Sequence, residues 1–130
     1  MIGERQQITP LVHDGVMFIS TVVNNTVQAL NAATGDLIWE NRLGPRLENQ
    51  VNATARAMVL YGNQLFYPAT DATLYALDAR TGRPIWSVQT VDPLRPYTST
   101  GAPRVANGKV FIGNAGAEFP PFRGYVSAYD

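Results

Sequence analysis

The chain has 130 residues, of which 45% are apolar and 15% charged, and its formal net charge is zero. That composition supports a buried core and excludes a disordered chain, and the lack of a basic field excludes an electrostatic nucleic-acid or anionic-lipid binder. Lys109 is the only lysine, and with no cysteine there can be no disulfide, thiolate metal site, thiol nucleophile or Cys-x-x-Cys-His haem attachment.

Met1 to Gln7 has no basic run followed by an apolar stretch, so neither a signal peptide nor a membrane span is expected within the chain. The next segment, Pro10-Leu11-Val12-His13-Asp14-Gly15-Val16-Met17-Phe18-Ile19, reads as strand, tight turn, strand. It is followed by Ala29-Leu30-Asn31-Ala32-Ala33-Thr34-Gly35-Asp36-Leu37-Ile38-Trp39. After an irregular connection the pattern returns. Ala57-Met58-Val59-Leu60-Tyr61-Gly62-Asn63-Gln64-Leu65-Phe66-Tyr67 is again strand, turn, strand. Ala76-Leu77-Asp78-Ala79-Arg80-Thr81-Gly82-Arg83-Pro84-Ile85-Trp86 matches the earlier unit with Ala, Leu, Ala, Thr, Gly, Ile and Trp in register. A third hairpin, Pro103 to Ile112 around Asn107-Gly108, leads to the start of a third copy at Ala128-Tyr129-Asp130. Asp14-Gly15, Gly62-Asn63 and Asn107-Gly108 supply residues that tolerate the positive φ of two-residue hairpin turns.

Four short strands in a repeat of about 40–50 residues indicate β-propeller blades. No window carries a helical apolar stripe, so the fold class is all-β, with helix confined to single turns in residues 44–55 or 91–100. The blade units run roughly 8–43, 56–90 and 101–130, about two and a half four-stranded blades of one propeller domain. A lone four-stranded sheet cannot bury both faces, so each blade depends on its neighbours and the open faces predict poor solubility in isolation. The repeated Trp39 and Trp86 are expected between adjacent blades, each covering the Thr-Gly turn beside it. A ligand role for them is the weaker alternative, because both occupy the same repeat position.

The irregular segments 44–55, 91–101 and 115–124 are where a site is expected on such a scaffold. Their wording is informative. Thr98-Ser99-Thr100-Gly101-Ala102-Pro103-Arg104-Val105, then Gly113-Asn114-Ala115-Gly116-Ala117-Glu118 and Arg123-Gly124-Tyr125, is similar to the cofactor-lining stretch of the PQQ-dependent alcohol dehydrogenases, the methanol and ethanol dehydrogenase type of quinoprotein. The Trp unit resembles that family's tryptophan-docking motif. The resemblance covers nearly the whole chain, and the spacing from Thr-Gly-Ala-Pro to Gly-Ala-Glu is its more specific part.

The resemblance implies an eight-bladed propeller holding pyrroloquinoline quinone (PQQ) on its axis beside Ca2+. By position, Glu118 matches the calcium-ligating glutamate and Arg56 the arginine at the quinone carbonyls. Thr100 matches a threonine that hydrogen-bonds the quinone, and Ala115, Gly116 and Ala117 match the backbone passing close to it. These residue types suit the chemistry. A tricarboxylate ortho-quinone needs a guanidinium and neutral donors, and a hard cation needs carboxylate oxygen. Taken without the resemblance, Glu118 is a solvated loop carboxylate, Arg56 a surface arginine and Thr100 a cap on the Gly101-Ala102-Pro103 turn. His13, beside a hairpin turn, reads as a surface residue. Asn24-Asn25-Thr26 and Asn52-Ala53-Thr54 are formal glycosylation sequons that read as turns, and Phe119-Pro120-Pro121-Phe122 is a candidate wall of a substrate entrance.

The chain also departs from the family. Where many members have adjacent cysteines forming a disulfide platform, this chain has Gln50 and Val51, and where they have a quinone-contacting glutamate it has Gln7. The family's catalytic aspartate, asparagine calcium ligand and stacking tryptophan correspond to no residue of this chain. The expectation is therefore part of a PQQ- and calcium-dependent dehydrogenase, inactive as an isolated segment. It would oxidise a small alcohol by hydride transfer to the quinone, pass electrons to an acceptor such as a cytochrome c, and work in the periplasm. The alternative is a non-catalytic propeller scaffold similar to the outer-membrane assembly lipoproteins.

Overall fold

The computed structural model describes residues 7–44, 56–92, 94–95, 97–99, 101–116, 120–121 and 123–130. They form three antiparallel sheets with up-and-down order. The first is β1 (Leu11–His13), β2 (Val16–Thr21), β3 (Thr26–Asn31) and β4 (Leu37–Arg42). The second is β5 (Val59–Tyr61), β6 (Gln64–Pro68), β7 (Thr73–Asp78) and β8 (Pro84–Gln89). The third has three strands, β9 (Arg104–Ala106), β10 (Lys109–Gly113) and β11 (Val126–Tyr129). This is the all-β, partial propeller that the repeats predict.

Local chemistry sets the turns. Asp14 and Gly15 both take positive φ (47° and 74°), as do Asn107 and Gly108 (49° and 74°), the type I′ pattern that matches strand twist. In the second hairpin Gly62 takes φ 59° ahead of Asn63, the type II′ pattern. Between β3 and β4 the Asn31 Oδ1 accepts the Ala33 and Thr34 N–H groups, and between β7 and β8 the Asp78 Oδ1 accepts those of Arg80 and Thr81. Burial raises the Asp78 pKa, but hydrogen bonds from Arg80, Thr81 and Asn63 outweigh it and hold the carboxyl below its ordinary value. The one helical turn among the described residues is Val23–Asn25, between β2 and β3. It lies outside both long connections, in which residues 45–55, 93, 96 and 100 are outside the described residues. Asn24 and Asn25, both at positive φ, close a tight 3-10 turn there.

The core lies between sheets. Phe18, Val27 and Ala29 of the first sheet pack on Leu65, Tyr67 and Leu77 of the second. Phe66, Leu74 and Ala76, on the second sheet's other face, pack on Val110 and Ile112 of the third. The period-two alternation of a strand thus serves two interfaces at once, and β6 is buried on both sides along most of its length. Val12 and Val126, on the faces with no neighbouring sheet, stay exposed.

Trp39 is the hinge of the first interface. Its ring lies at 6.1 Å from Phe18, and its indole N–H donates to the Ala79 carbonyl of the second sheet at 3.0 Å. The turn it covers is not the one beside it. A Cβ added at Gly82 would collide with the Trp39 six-membered ring, whereas one added at Gly35 meets nothing within 4 Å. The aromatic therefore reads the Thr-Gly turn of the next blade, and Asn41 adds a donated bond to the Gly82 carbonyl at 2.7 Å. Trp86 repeats the contact with Phe66, at 5.8 Å.

A polar tie at the other end of this interface has no sequence signature. Asn25 is buried, and its Oδ1 accepts both the Tyr67 hydroxyl (3.2 Å) and the Thr70 N–H (2.9 Å) from the second sheet. Burial, then the Asp71 charge and Tyr75, push the Tyr67 hydroxyl far above its ordinary pKa, so it remains a donor.

Three outcomes follow for the complete propeller, read by urea or thermal unfolding. Trp39 is half-buried, so Trp39→Ala is expected to cost about 2–4 kcal/mol, somewhat less than truncation of a fully buried aromatic. Gly82→Ala combines strain with overpacking and is expected to cost about 2–4 kcal/mol, against about 1–2 kcal/mol for Gly35→Ala, which meets strain alone. Equal costs at the two glycines would contradict the cross-blade contact. Asn25→Gly keeps the left-handed backbone but strands the Tyr67 hydroxyl and Thr70 N–H, and is expected to cost about 1–3 kcal/mol.

Candidate functional site

Strand direction sorts the loops into two ends. The β1–β2, β5–β6 and β9–β10 hairpins and the Thr-Gly turns lie at one end of the sheets. The β2–β3 turns, the inter-sheet connections and the excursion between β10 and β11 lie at the other. Strands β1, β5 and β9 form corresponding edges of their sheets, and β5 touches β9, so these edges converge toward one axis. The segments entering them carry Gln7, Arg56 and the Thr98–Ser99 pair. The sequence-predicted residues that are described thus lie at the irregular end, on the inner side.

Gln7 and Arg56 are brought together. The Arg56 Nε donates to Gln7 Oε1 in a long contact of 3.5 Å, and the Thr9 N–H donates to the Arg56 carbonyl at 2.9 Å. Arg56 is exposed, and among the described residues no carboxylate pairs with it. Ala115 is brought to the preceding connection by a two-bond bridge. The Thr98 N–H donates to its carbonyl at 3.2 Å, and its N–H donates to the Thr98 carbonyl at 2.8 Å. Gly116 follows at φ 114°, a backbone that favours glycine. Thr100, Ala117, Glu118, Gln50, Val51, Phe119, Phe122 and the second sequon lie outside the described residues.

The excursion is closed at its base. Tyr125 N–H donates to Asn114 Oδ1 at 2.8 Å, and Asn114 N–H donates to the Tyr125 carbonyl at 3.3 Å. The Tyr97 hydroxyl donates to the Arg123 carbonyl at 3.2 Å, and its ring meets Tyr125 edge-on at 5.7 Å. Ser99 is buried, and among the described residues its hydroxyl has no hydrogen-bond partner. Sequence reasoning missed Ser99, Tyr97 and this latch, because burial and loop-to-loop contact leave no periodic trace.

Among the described residues no three His, Cys, Asp or Glu side chains gather as a metal cluster. His13 faces Asp14 at 3.2 Å on the surface. It lines a cleft of about 430 Å3 with Trp39, Ala79 and Arg80 at the opposite end of the first two sheets, away from the described site residues Gln7, Arg56, Ala115 and Gly116. No helix among the described residues is long and apolar enough to cross a membrane.

Comparison with known proteins bears on this geometry. The family model described as "Outer membrane protein assembly factor BamB", a PQQ-type repeat, matches residues 3–130. The chain is 45% identical over 130 residues to the quinohemoprotein alcohol dehydrogenase ADH IIB of Pseudomonas putida, covering 95% of this chain and 18% of that protein. It is 42% identical over 129 residues to the 1-butanol dehydrogenase (cytochrome c) of Thauera butanivorans, with the same coverage of 95% and 18%. It superposes on the quinohemoprotein alcohol dehydrogenase ADHIIG of Pseudomonas putida HK5 with a TM-score of 0.85 and 42% identity, over 98% of this chain and 19% of that one. BamB of Moraxella catarrhalis shares the fold at a TM-score of 0.61 and 20% identity, over 83% of this chain and 30% of that one. The chain spans less than a fifth of the length of these two curated relatives. The chain belongs to the family of that model, and over nearly its whole length it is similar to one segment of quinohemoprotein alcohol dehydrogenases.

Proposed function

We propose that the chain forms one wall of a PQQ site in a calcium-dependent alcohol dehydrogenase of the periplasm. The observation that carries this reading is Arg56. It is a cation at the loop end, at the entry to an inner strand, and among the described residues its side chain contacts the neutral Gln7 and no carboxylate. A guanidinium so placed suits a tricarboxylate ligand. The buried Ser99 hydroxyl in the neighbouring connection, unpartnered among the described residues, is a second polar group suited to a ligand rich in acceptors.

PQQ supplies, when bound, an ortho-quinone that accepts hydride from an alcohol carbon. The chain's own residues bind and orient it. Arg56 and Gln7 would donate to its oxygens, Thr100 would add a hydroxyl, and the small residues Ala115, Gly116 and Ala117 would permit close approach of the ring. Glu118 offers the carboxylate oxygen that a hard divalent cation takes. A small alcohol is the substrate, in keeping with the names of the relatives. One relative's name includes cytochrome c, which makes a cytochrome of that type the fitting electron acceptor.

A second reading, a non-catalytic scaffold, draws on the family model's description and on Gln7, Gln50 and Val51 standing where many dehydrogenases have a glutamate and paired cysteines. Calorimetric titration of the complete protein with PQQ, with and without calcium, separates the two. Calcium-dependent binding is expected, weakened about 10–100-fold by Arg56→Ala, as for a lost charge-assisted hydrogen bond. Absence of calcium-dependent binding, or binding indifferent to Glu118→Ala, would overturn the site as assigned.

A further inference from the structure

The two connections that carry the candidate site leave their blades at corresponding carbonyls. Leu43 is the residue after β4, and Thr90 is the residue after β8. Each of these carbonyls accepts a tyrosine hydroxyl from the following sheet. Tyr75 donates to Leu43 at 3.1 Å, and Tyr125 donates to Thr90 at 3.2 Å.

The two tyrosines are not repeat equivalents. Ala76 pairs with Phe66, and Ala128 pairs with Phe111, so Ala128 stands where Ala76 does. Ser127 then occupies the position of Tyr75, and the second hydroxyl arrives from farther upstream, ahead of β11. The same root carbonyl is capped by the same group, delivered from a different backbone position. A repeat that merely copied itself would not produce this. The contact is what the two blades share.

We propose that Tyr75 and Tyr125 are positioning residues for the cofactor site, pinning the roots of the connections that present Arg56 and the Thr98–Ala115 bridge. This rests on the PQQ reading above. The first connection runs from Leu43 to the strand entered after Arg56, and a connection of that length costs conformational entropy to order unless its ends are held. A hydroxyl at its root and the Thr9–Arg56 bond near its far end restrict it from both sides. Tyr125 does more. Its hydroxyl holds Thr90, its ring meets Tyr97, and its backbone pairs with Asn114, the neighbour of Ala115. One side chain thus joins β8, the connection and the excursion. Burial is the first cause raising both hydroxyls above their ordinary pKa, so each remains a donor at neutral pH.

The test uses the complete protein with Tyr75→Phe and Tyr125→Phe, which keep the ring and remove the hydroxyl, and Tyr61→Phe at the opposite hairpin end as control. Three quantities are read: PQQ affinity by calorimetry with calcium, the thermal midpoint without PQQ, and hydrogen exchange of named amides. Each of the first two variants is expected to bind PQQ about three- to tenfold more weakly, the loss of one net hydrogen bond. Tyr75→Phe should also speed exchange at the Thr9 amide, and Tyr125→Phe at the Thr98 and Ala115 amides, while Tyr61→Phe changes nothing. Unchanged affinity in both variants overturns the proposal, and so does a lowered midpoint with affinity intact, which would assign the hydroxyls to stability alone. If the unsubstituted protein binds no PQQ, the cofactor reading fails by itself, and unchanged exchange in both variants would then reject the pinning separately.

Discussion

Everything in this molecule depends on sheets burying each other's faces. A four-stranded antiparallel sheet has two faces and no core of its own, so Phe18, Val27 and Ala29 are useful only where Leu65, Tyr67 and Leu77 meet them. Trp39 sets how closely that meeting occurs. Its ring occupies the space a side chain would need at Gly82, and its N–H finds the Ala79 carbonyl, so the interface has one fitted apolar contact and one directional bond. The separation and tilt of the first two sheets follow from that pair. The end at which the loops gather follows from the sheets.

The architecture was legible because it rests on local signals that repeat: Asp14-Gly15, Gly62-Asn63 and Asn107-Gly108 turns, and one Trp per unit at constant register. The destination of Trp39 was not legible. Sequence places it beside Thr34-Gly35, and only the stacking of blades reveals that it covers the corresponding turn one repeat on. The same limit applies to Asn25. As a sequence it belongs to a polar turn and a formal sequon, yet it is buried and bonded to Tyr67 and Thr70 across the interface. Burial of a polar side chain between repeats requires knowing which repeat faces which, and periodicity does not supply that.

The candidate site was legible in a different way. No composition or spacing rule marks Arg56, which stands alone in an otherwise ordinary stretch. The resemblance marked it, and the structure sets it against Gln7 at the irregular end. Loop contacts such as Tyr97 on Tyr125 join residues far apart in sequence with no pattern linking them, so they appear only once the chain is folded. They nevertheless decide how firmly any site on these loops is held.

The pairing of Arg56 with Gln7 has an electrostatic consequence. A glutamate in place of Gln7 would form an ion pair, and the guanidinium would then meet a ligand with its charge largely balanced. Glutamine retains an acceptor and a donor but no charge, so it orients Arg56 without neutralising it. At an exposed position the attraction between such a cation and an anionic ligand is screened and modest, and it grows as water is excluded. In the proposed site, a flat ligand against the Ala115–Gly116 backbone would exclude that water, and the charge of Arg56 would then act most strongly in the bound state. In the proposed site, glutamine at position 7 would shift the balance toward anion attraction while keeping a long hydrogen-bond contact with the arginine.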